Sequence, residues 1–481
     1  MRGVVWTGSA SFVQLLIPLV LYGFLPADQM GRFEGALTIV MLGALLGSLG
    51  LGEALVQNRE AGEIHFNSAF WICLASGCAV TLLVIAGASH IGSLLSWPNP
   101  GELRPVLVPL SLLIPLASVS GIFRARLSRE LLFRPLAISE ISSVISYAVV
   151  VIALLPQYGL WSPIIGAVVR EAALLVSLCI SARWCPRLVC SLASLKEVLP
   201  FGLHFTGSRS VNFLNSHLAT FFIMPLLGET AHGYYKFAHR LTLLPLVRLS
   251  TTITRVSFPT FSSIQDDADL LSQGYLKSVQ SIALFMWPAL VGLLMFAPEV
   301  LVMVEKINDL ELGPALWGLR LLIVATLVKS VGIIVGSVFM AKGKASWALY
   351  WSLFSFLLLL PALYYATAYG VAGVAAAIAS TALIFLLLSQ HLVNRLTGLS
   401  FTDYAGGLLR PLLVSLVVLV VLVYARTVLP ADPLVRLASG TGMGVVAFLA
   451  ATRLFAWDLC IQVWRSLSGD RGATSQSGDP V

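Results

Sequence analysis

Apolar runs of about 20 residues follow one another along almost the whole chain, and this feature limits the possible fold more than any other. A run of that length crosses a hydrocarbon core of about 30 Å as an α-helix. Of the 481 residues, 58% are hydrophobic and 11% are charged, whereas a soluble domain has roughly 25% charged residues. The sequence therefore predicts an all-α polytopic membrane protein with no separate soluble domain.

We predict about fourteen transmembrane helices. Their boundaries are approximately 4–25, 35–56, 67–92, 105–122, 135–155, 160–184, 199–226, 233–257, 278–303, 315–340, 346–368, 370–394, 408–429 and 435–457. An even number places both termini on one side of the membrane. Lys and Arg residues are twice as frequent in the loops on the side of the N-terminus as in the opposite loops, which predicts that both termini are cytoplasmic.

The net charge of +7 raises the question of a nucleic-acid partner. The basic residues lie at loop ends and inside the apolar segments, and they form no long basic run, so we predict no nucleic-acid binding. The cysteine pair of "CPRLVC" at 185–190 lacks a second ligand pair at a spacing suited to zinc. We therefore predict no metal site and no cofactor.

Two short phrases return about two hundred residues later in the chain. "TGSAS" at 7–11 corresponds to "TGSRS" at 206–210, and "LPADQMGRF" at 25–33 corresponds to "LLGETAHGYY" at 226–235. The shared order of helix, acidic turn, glycine and aromatic residue indicates a duplication. Because six segments separate the copies, both copies enter the membrane from the same side, as in transporters built from parallel repeats.

The duplication predicts a division of the chain into lobes. The N-terminal six-helix lobe is expected at 1–190 and the C-terminal six-helix lobe at 191–397. Two additional transmembrane helices follow at 398–460, and a cytoplasmic tail follows at 461–481.

Several phrases resemble the polysaccharide transport branch of the multidrug/oligosaccharidyl-lipid/polysaccharide exporter superfamily, the bacterial O-unit and exopolysaccharide flippases. These are "GLGEALVQ" (50–57), "SRELLFRPLAISEI" (128–141), "YGLWSPIIG" (158–166), "GYYKFAHRLTLLP" (233–245) and "FPTFSSIQDD" (258–267). The resemblance spans nearly the whole chain. It departs from the family pattern at Ser162-Pro163, where members tend to carry Ala-Leu, and this affects the expected local shape of the sixth helix.

The resemblance implies a function and a location. A member of this branch moves a polyprenyl-diphosphate-linked oligosaccharide from the inner to the outer leaflet of the bacterial inner membrane by alternating access. The expected partners are this lipid-linked oligosaccharide and the bilayer itself. Polysaccharide polymerase and export machinery are candidate protein partners.

Five cations lie where a charge is least expected, inside the predicted segments. Arg209 is roughly 15 Å deep at 1.5 Å per residue, and a central arginine costs about 2.5 to 3.5 kcal/mol on the lenient insertion scale. The other four are Arg170, Arg248, Lys329 and, nearer the outer end, Arg240. We expect only two acids, Glu140 and Glu171, inside the membrane, so we predict a water-filled cationic cavity in which these five residues bind the substrate diphosphate.

Structural roles for these cations stay open at this point. Arg209 and Arg248 could instead pair with other helices, and for Arg170, which is next to Glu171, pairing is the favoured interpretation. Two other classes of protein are also considered. A membrane glycosyltransferase or polysaccharide polymerase would need a large outer loop or acidic metal ligands, and a drug exporter of the same superfamily would need acids inside the membrane.

Overall fold

The computed structural model describes residues 21–58, 60–94, 100–308, 313, 315–343, 345–430 and 432–461. Within these ranges, side chains are not described at 91, 93–94, 100, 244–260, 262–263, 304, 306–308, 345–346 and 348–349. Every regular element in the described part is a helix. This result confirms the predicted all-α class.

The described helices follow one another with short connections. In chain order they are α1 (Ala27–Gly47), α2 (Leu51–Gln57), α3 (Glu63–Leu94), α4 (Pro100–Ser111), α5 (Leu113–Arg129), α6 (Phe133–Tyr158), α7 (Trp161–Ala182), α8 (Leu192–Ser263), α9 (Ala268–Met295), α10 (Ala297–Asn308), α11 (Ala315–Gly332), α12 (Val335–Ala341), α13 (Ala345–Ala366), a 3-10 turn (Thr367–Tyr369), α14 (Gly370–Thr397), α15 (Phe401–Val428) and α16 (Pro433–Phe455).

Eleven helical stretches of the described residues are long and apolar enough to cross a membrane. Two of them, Leu192–Leu243 and Tyr350–Thr397, each cover two of the predicted segments. The eleven stretches thus account for thirteen predicted segments. The first predicted segment, 4–25, lies almost entirely outside the described residues, as does the phrase "TGSAS".

Single residues at the helix ends explain where several of these helices begin or break. The backbone of α8 is interrupted at Gly228, which has φ 89° and ψ 178°. Residues that have a Cβ atom rarely adopt this backbone conformation. This break lies in the predicted turn "LLGETAHGYY". Asp432 begins α16 by accepting hydrogen bonds from the backbone N–H groups of Leu434 and Val435, which satisfies donors that have no partner inside the helix.

Backbone contacts divide the chain into two compact units. The first unit extends to Leu244 and also contains Val304–Leu322 and Leu349–Thr381. The second unit contains Pro245–Met303, Ile323–Ala348 and the chain from Ala382 onward. These units reflect contacts, whereas the predicted lobes reflect duplication, so the lobe boundaries at 190, 397 and 460 stay a prediction.

Helices α1 and α8 of the first unit approach each other closely at two glycines. A Cβ atom on Gly31 would overlap the carbonyl oxygen of Glu229, and a Cβ atom on Gly233 would overlap the carbonyl oxygen of Ala27. Gly31 and Gly233 are as far apart in the sequence as Ala27 and Glu229. Equivalent positions of the two turns therefore contact each other reciprocally, as residues around a two-fold axis do, which supports the duplication.

The short helix α2 lies against the N-terminal part of α8. Gly50 precedes α2 in the left-handed conformation, with φ 61°, and the position of its missing Cβ atom is next to the carbonyl oxygen of Gly202 and the hydroxyl of Thr206. Val198, one turn before Gly202, is buried in a cluster that contains Leu51 of α2. This contact brings the family-like phrase "GLGEALVQ" next to "TGSRS".

The second unit is held together by α9, α15 and α16, which pack against one another. The Glu299 carboxylate at the start of α10 lies 3.0 Å from Arg426 of α15 and 3.4 Å from Arg436 of α16. The three helices also enclose an apolar cavity of about 460 Å³. No charged side chain of the described residues lines this cavity, so its described lining offers no cation to a diphosphate.

Candidate functional site

A buried ion pair joins α1 to α8 in the first unit. The Arg240 guanidinium donates to the Glu34 carboxylate, and the two side chains are 19% and 5% exposed. Nearer the turns, Arg32 donates to Glu229 at 2.7 Å. Arginine and carboxylate groups that are removed from solvent need such partners. This cluster of charged side chains, Arg32, Glu34, Glu229 and Arg240, therefore fixes how the two helices pack.

Lys236 belongs to the same cluster of charged side chains. The side chain is 8% exposed on the helical part of α8, and its Nζ lies 3.5 Å from the Thr38 hydroxyl oxygen. It is also within electrostatic range of Glu34. Extending the repeat comparison by one residue would have revealed this neighbour, because Glu34 follows Gly31 as Lys236 follows Gly233.

Arg209 forms a second ion pair, and this one is open. Its Nη1 donates to Glu53 Oε1 of α2 at 3.1 Å, and the two side chains are 57% and 43% exposed. The guanidinium lies 5.6 Å from the ring centre of Phe205. Arg209 is about 26 Å from Leu192 and about 28 Å from the break at Gly228, measured along α8 at 1.5 Å per residue, so it lies deep in the apolar stretch.

Among the described residues, Arg170 and its neighbour Glu171 form no ion pair with each other, and a pairing of Arg170 with another helix stays a prediction. Arg170 is half-buried on α7, and its Nε has no hydrogen-bond partner among the described residues. Tyr147 of α6 is within electrostatic range of both Arg170 and Arg240. These two arginines therefore approach a common neighbour.

The remaining two predicted residues lie elsewhere. Lys329 is an exposed residue of α11 in the second unit. The side chain of Arg248 lies outside the described residues. The structure thus places Arg170, Arg209 and Arg240 in one unit, and the shared role of all five cations stays a prediction.

The count of acids made from the sequence was wrong. Glu53 on α2 and Glu299 on α10 lie inside the predicted segments 35–56 and 278–303. Glu34 lies on α1, which begins at Ala27, before the predicted start at 35. Glu34 and Glu53 pair with predicted site arginines. Glu140, which was counted, lies 3.8 Å from Arg124 instead.

The arrangement has one position suited to binding an anion. Arg209 has five N–H donors, and the structure gives it one hydrogen bond, to Glu53. The remaining donors suit the bidentate geometry of a phosphate. Arg240 is less suitable because its carboxylate partner is almost fully buried.

Comparisons with known proteins agree with this architecture. The chain is 28% identical over 430 residues to the lipopolysaccharide biosynthesis protein WzxC of Escherichia coli, covering 87% of this chain and 86% of that protein. It is 30% identical over 311 residues to the succinoglycan biosynthesis transport protein ExoT of Rhizobium meliloti, covering 63% and 62%. It is 23% identical over 423 residues to the teichuronic acid biosynthesis protein TuaB of Bacillus subtilis, covering 86% of each.

Solved structures share the fold at low sequence identity. The lipid II flippase MurJ in an inward closed conformation has a TM-score of 0.75 at 15% identity and covers 95% of this chain and 100% of its own. An inward-facing multidrug resistance MATE family transporter has a TM-score of 0.63 at 17% identity and covers 81% and 96%. The family described as polysaccharide biosynthesis protein matches residues 20–305. The chain therefore belongs to that family, which confirms its resemblance to the polysaccharide transport branch of the exporter superfamily.

Proposed function

We propose that this protein is a flippase that moves polyprenyl-diphosphate-linked polysaccharide repeat units from the inner to the outer leaflet by alternating access. Its family membership and its similarity to a lipopolysaccharide biosynthesis protein and a succinoglycan biosynthesis transport protein support a role in polysaccharide transport. The likeness of its fold to that of a lipid II flippase supports the movement of a lipid-linked substrate. The transport step changes no covalent bond of the substrate.

The observation that carries the proposal is the exposure of Arg209. A guanidinium deep in an apolar helix cannot face lipid without a large penalty, yet this side chain is only partly covered by Glu53 and Phe205. It must therefore face water or an anionic ligand. A diphosphate that leaves interfacial water needs such donors to replace its hydration.

The Glu53 carboxylate has a specific part in this mechanism. It accepts a hydrogen bond from Arg209, which holds the guanidinium in place and offsets its charge. A diphosphate carries more negative charge than one carboxylate and competes for the same donors. Binding is thus an exchange of anions at Arg209, and release in the outer leaflet lets Glu53 pair with it again.

We assign Arg170, Arg240, Arg248 and Lys329 supporting roles in the anion path. Arg170 has a buried Nε without a hydrogen-bond partner among the described residues, which makes it a second candidate donor in the first unit. Arg240 contributes mainly by anchoring α8 through Glu34. The sugar chain follows through water, and the prenyl tail stays in lipid.

Both termini are proposed to be cytoplasmic, in the inner membrane of a bacterium. Reporter fusions after Ser194 and Ser468 should be active in the cytoplasm, and a fusion after Glu229 should be active outside. An external Ser194 fusion would overturn the orientation without affecting the fold.

Reconstitution tests the proposed function. Purified protein in liposomes should translocate a polyprenyl-diphosphate-linked oligosaccharide and return it unchanged in mass. Lengthened or cleaved glycan would indicate a glycosyltransferase or polymerase. Transport of a cationic drug in place of the lipid-linked glycan would indicate a drug exporter.

A further inference from the structure

We infer that the N-terminal part of α8 and the residues after α2 form a sugar-binding platform for neutral pyranoses. The inference rests on the proposed function, because it assigns a place to the glycan whose diphosphate binds Arg209. It concerns a different set of side chains from the cations.

A stripe of side chains leads along α8 to Arg209. Glu197, Phe201, Phe205 and Arg209 are each four residues apart, so each is a neighbour of the next on the helix surface. The rings of Phe201 and Phe205 are nearly parallel, with centres 6.3 Å apart and an angle of 16° between their planes. Arg209 lies next to the second ring. The two rings thus form one extended aromatic surface that ends at the guanidinium.

The stripe remains uncovered because the adjacent face of α8 makes the packing contacts. Val198, Gly202 and Thr206 are buried, and Gly202 and Thr206 contact Gly50. Phe201, by contrast, is exposed. Within the first unit, the aromatic surface therefore does not serve to pack α8 against α2.

A polar cavity of about 410 Å³ opens at the far end of the stripe from Arg209. Phe201 forms part of its wall, together with Glu197 of α8 and with Gln57, Asn58 and Glu60 at the end of α2. Its volume is within the range of small-molecule sites, about 300 to 1,000 Å³. Glu197 contacts His65 at 2.9 Å, and the Asn58 side-chain oxygen accepts from the Glu60 backbone N–H at 2.9 Å. The Gln57 amide has no protein partner in the described part of the chain, so it can bind a ligand.

This combination of groups matches the chemistry of a pyranose ring. The C–H bonds on one face of the sugar carry partial positive charge, which the negative face of an aromatic ring attracts. Carboxylates and amides exchange hydrogen bonds with the sugar hydroxyls. Two carboxylates, Glu60 and Glu197, line the cavity, and their negative charge disfavours phosphates and acidic sugars.

The order of the groups along α8 matches the order of groups in the substrate. In the substrate, the diphosphate is attached to the first sugar. On α8, Arg209, which would bind the diphosphate, lies next to Phe205, which would contact that sugar. Phe201 lies about 12 Å before Arg209 along the helix axis, and Glu197 about 18 Å before it. The next sugars therefore reach Phe201 and the polar cavity. In the proposed orientation this end of α8 faces the cytoplasm, where the glycan is made.

Binding of two lipids to the full-length protein in nanodiscs tests the platform. One probe is bare polyprenyl diphosphate, and the other carries a linear trisaccharide of neutral hexoses. The wild type should bind the trisaccharide lipid at least about tenfold more tightly than the bare lipid. Phe201→Leu and Gln57→Ala should each weaken binding of the trisaccharide lipid by about five- to tenfold, the effect of one aromatic contact or one to two hydrogen bonds, and leave the bare lipid unchanged.

Two further variants separate the platform from the anion site. Phe133→Leu removes an exposed phenylalanine at the start of α6 and should change neither affinity. Arg209→Ala should weaken both lipids equally. Equal binding of the two lipids by the wild type, or equal loss of both in Phe201→Leu, would overturn the platform while leaving a diphosphate-lipid flippase intact. If the wild type bound neither lipid, the proposed function would fail and the platform with it.

Discussion

Two arginines of α8, on either side of the break at Gly228, each pair with a glutamate of another helix, and the two pairs differ in their surroundings and therefore in what they can do. Glu34 is buried and Arg240 is only 19% exposed where α1 meets α8, whereas Arg209 and Glu53 are about half exposed where α2 meets α8. Removing one partner of a buried pair leaves an uncompensated charge and costs about 3 to 5 kcal/mol. An exposed pair contributes about 0 to 1 kcal/mol.

Charge inside a membrane segment therefore does not by itself identify a substrate site. Both arginines are candidate site residues because of their position inside predicted membrane segments. The number of nearby acids in the sequence does not distinguish the role of Arg209 from that of Arg240. Burial of the partner does separate them: the charge of Arg240 is already matched by Glu34, while Arg209 keeps donors for an incoming anion. The buried pair holds the repeat-related helices together, and the open pair is the candidate binding group.

The largest expected effect on stability belongs to the buried pair. Glu34→Ala should lower the free energy of unfolding by about 3 to 5 kcal/mol, because it leaves Arg240 buried without its carboxylate. Thermal unfolding in detergent and the amount of protein in the membrane measure this loss. The double variant Glu34→Met/Arg240→Met should recover most of it. A Glu34→Ala protein as stable as the wild type would show that this pair does not hold α1 to α8.

A smaller effect is expected where the same two helices touch at glycine. Gly233→Ala places a methyl group on the carbonyl of Ala27 and should destabilise the protein by about 1 to 3 kcal/mol, as overpacking does. Gly207→Ala is the matched control on the same helix, since its Cβ atom would meet nothing within 4 Å. Equal melting temperatures of the two variants would argue against close packing at Gly233.

The smallest stability effect belongs to the open pair. Glu53→Ala should change the free energy of unfolding by at most about 1 kcal/mol. Because Glu53 competes with the diphosphate for Arg209, its removal should strengthen binding of bare polyprenyl diphosphate. Binding in nanodiscs measures this change. Weaker binding in a stable Glu53→Ala protein would mean that Glu53 orients Arg209 for the ligand and does not compete with it.

The arrangement of membrane helices could be predicted from the sequence because hydropathy acts locally. Each apolar run specifies its own helix, so thirteen of the predicted segments are matched by described spans. The duplicated turns were also visible, because a glycine at a close helix contact is kept in both copies as Gly31 and Gly233. The sequence did not show that these glycines contact each other.

The partners of the charged residues could not be predicted for a physical reason. Glu53 and Arg209 are 156 positions apart, and Glu34 and Arg240 are 206 apart. No local periodicity relates such residues, since only the packing of α1, α2 and α8 brings them together. Arg170 shows the converse: Glu171 is its neighbour in the sequence, but consecutive residues are about 100° apart around a helix and do not face each other.

The flipping rate of Arg209→Ala per molecule of protein in the membrane tests most directly whether Arg209 binds the substrate. Proteoliposomes that contain matched amounts of wild type, Arg209→Ala and Arg209→Lys are supplied with a polyprenyl-diphosphate-linked oligosaccharide. A cation 4 Å from a phosphate contributes up to about 4 kcal/mol at an effective dielectric near 20. The Ala variant should therefore fold, insert and flip at least about a hundredfold more slowly, and the Lys variant should retain partial activity. If Arg209→Ala disappears from the membrane while its surviving fraction flips at the wild-type rate, then Arg209 is a structural partner of Glu53 and does not bind the substrate.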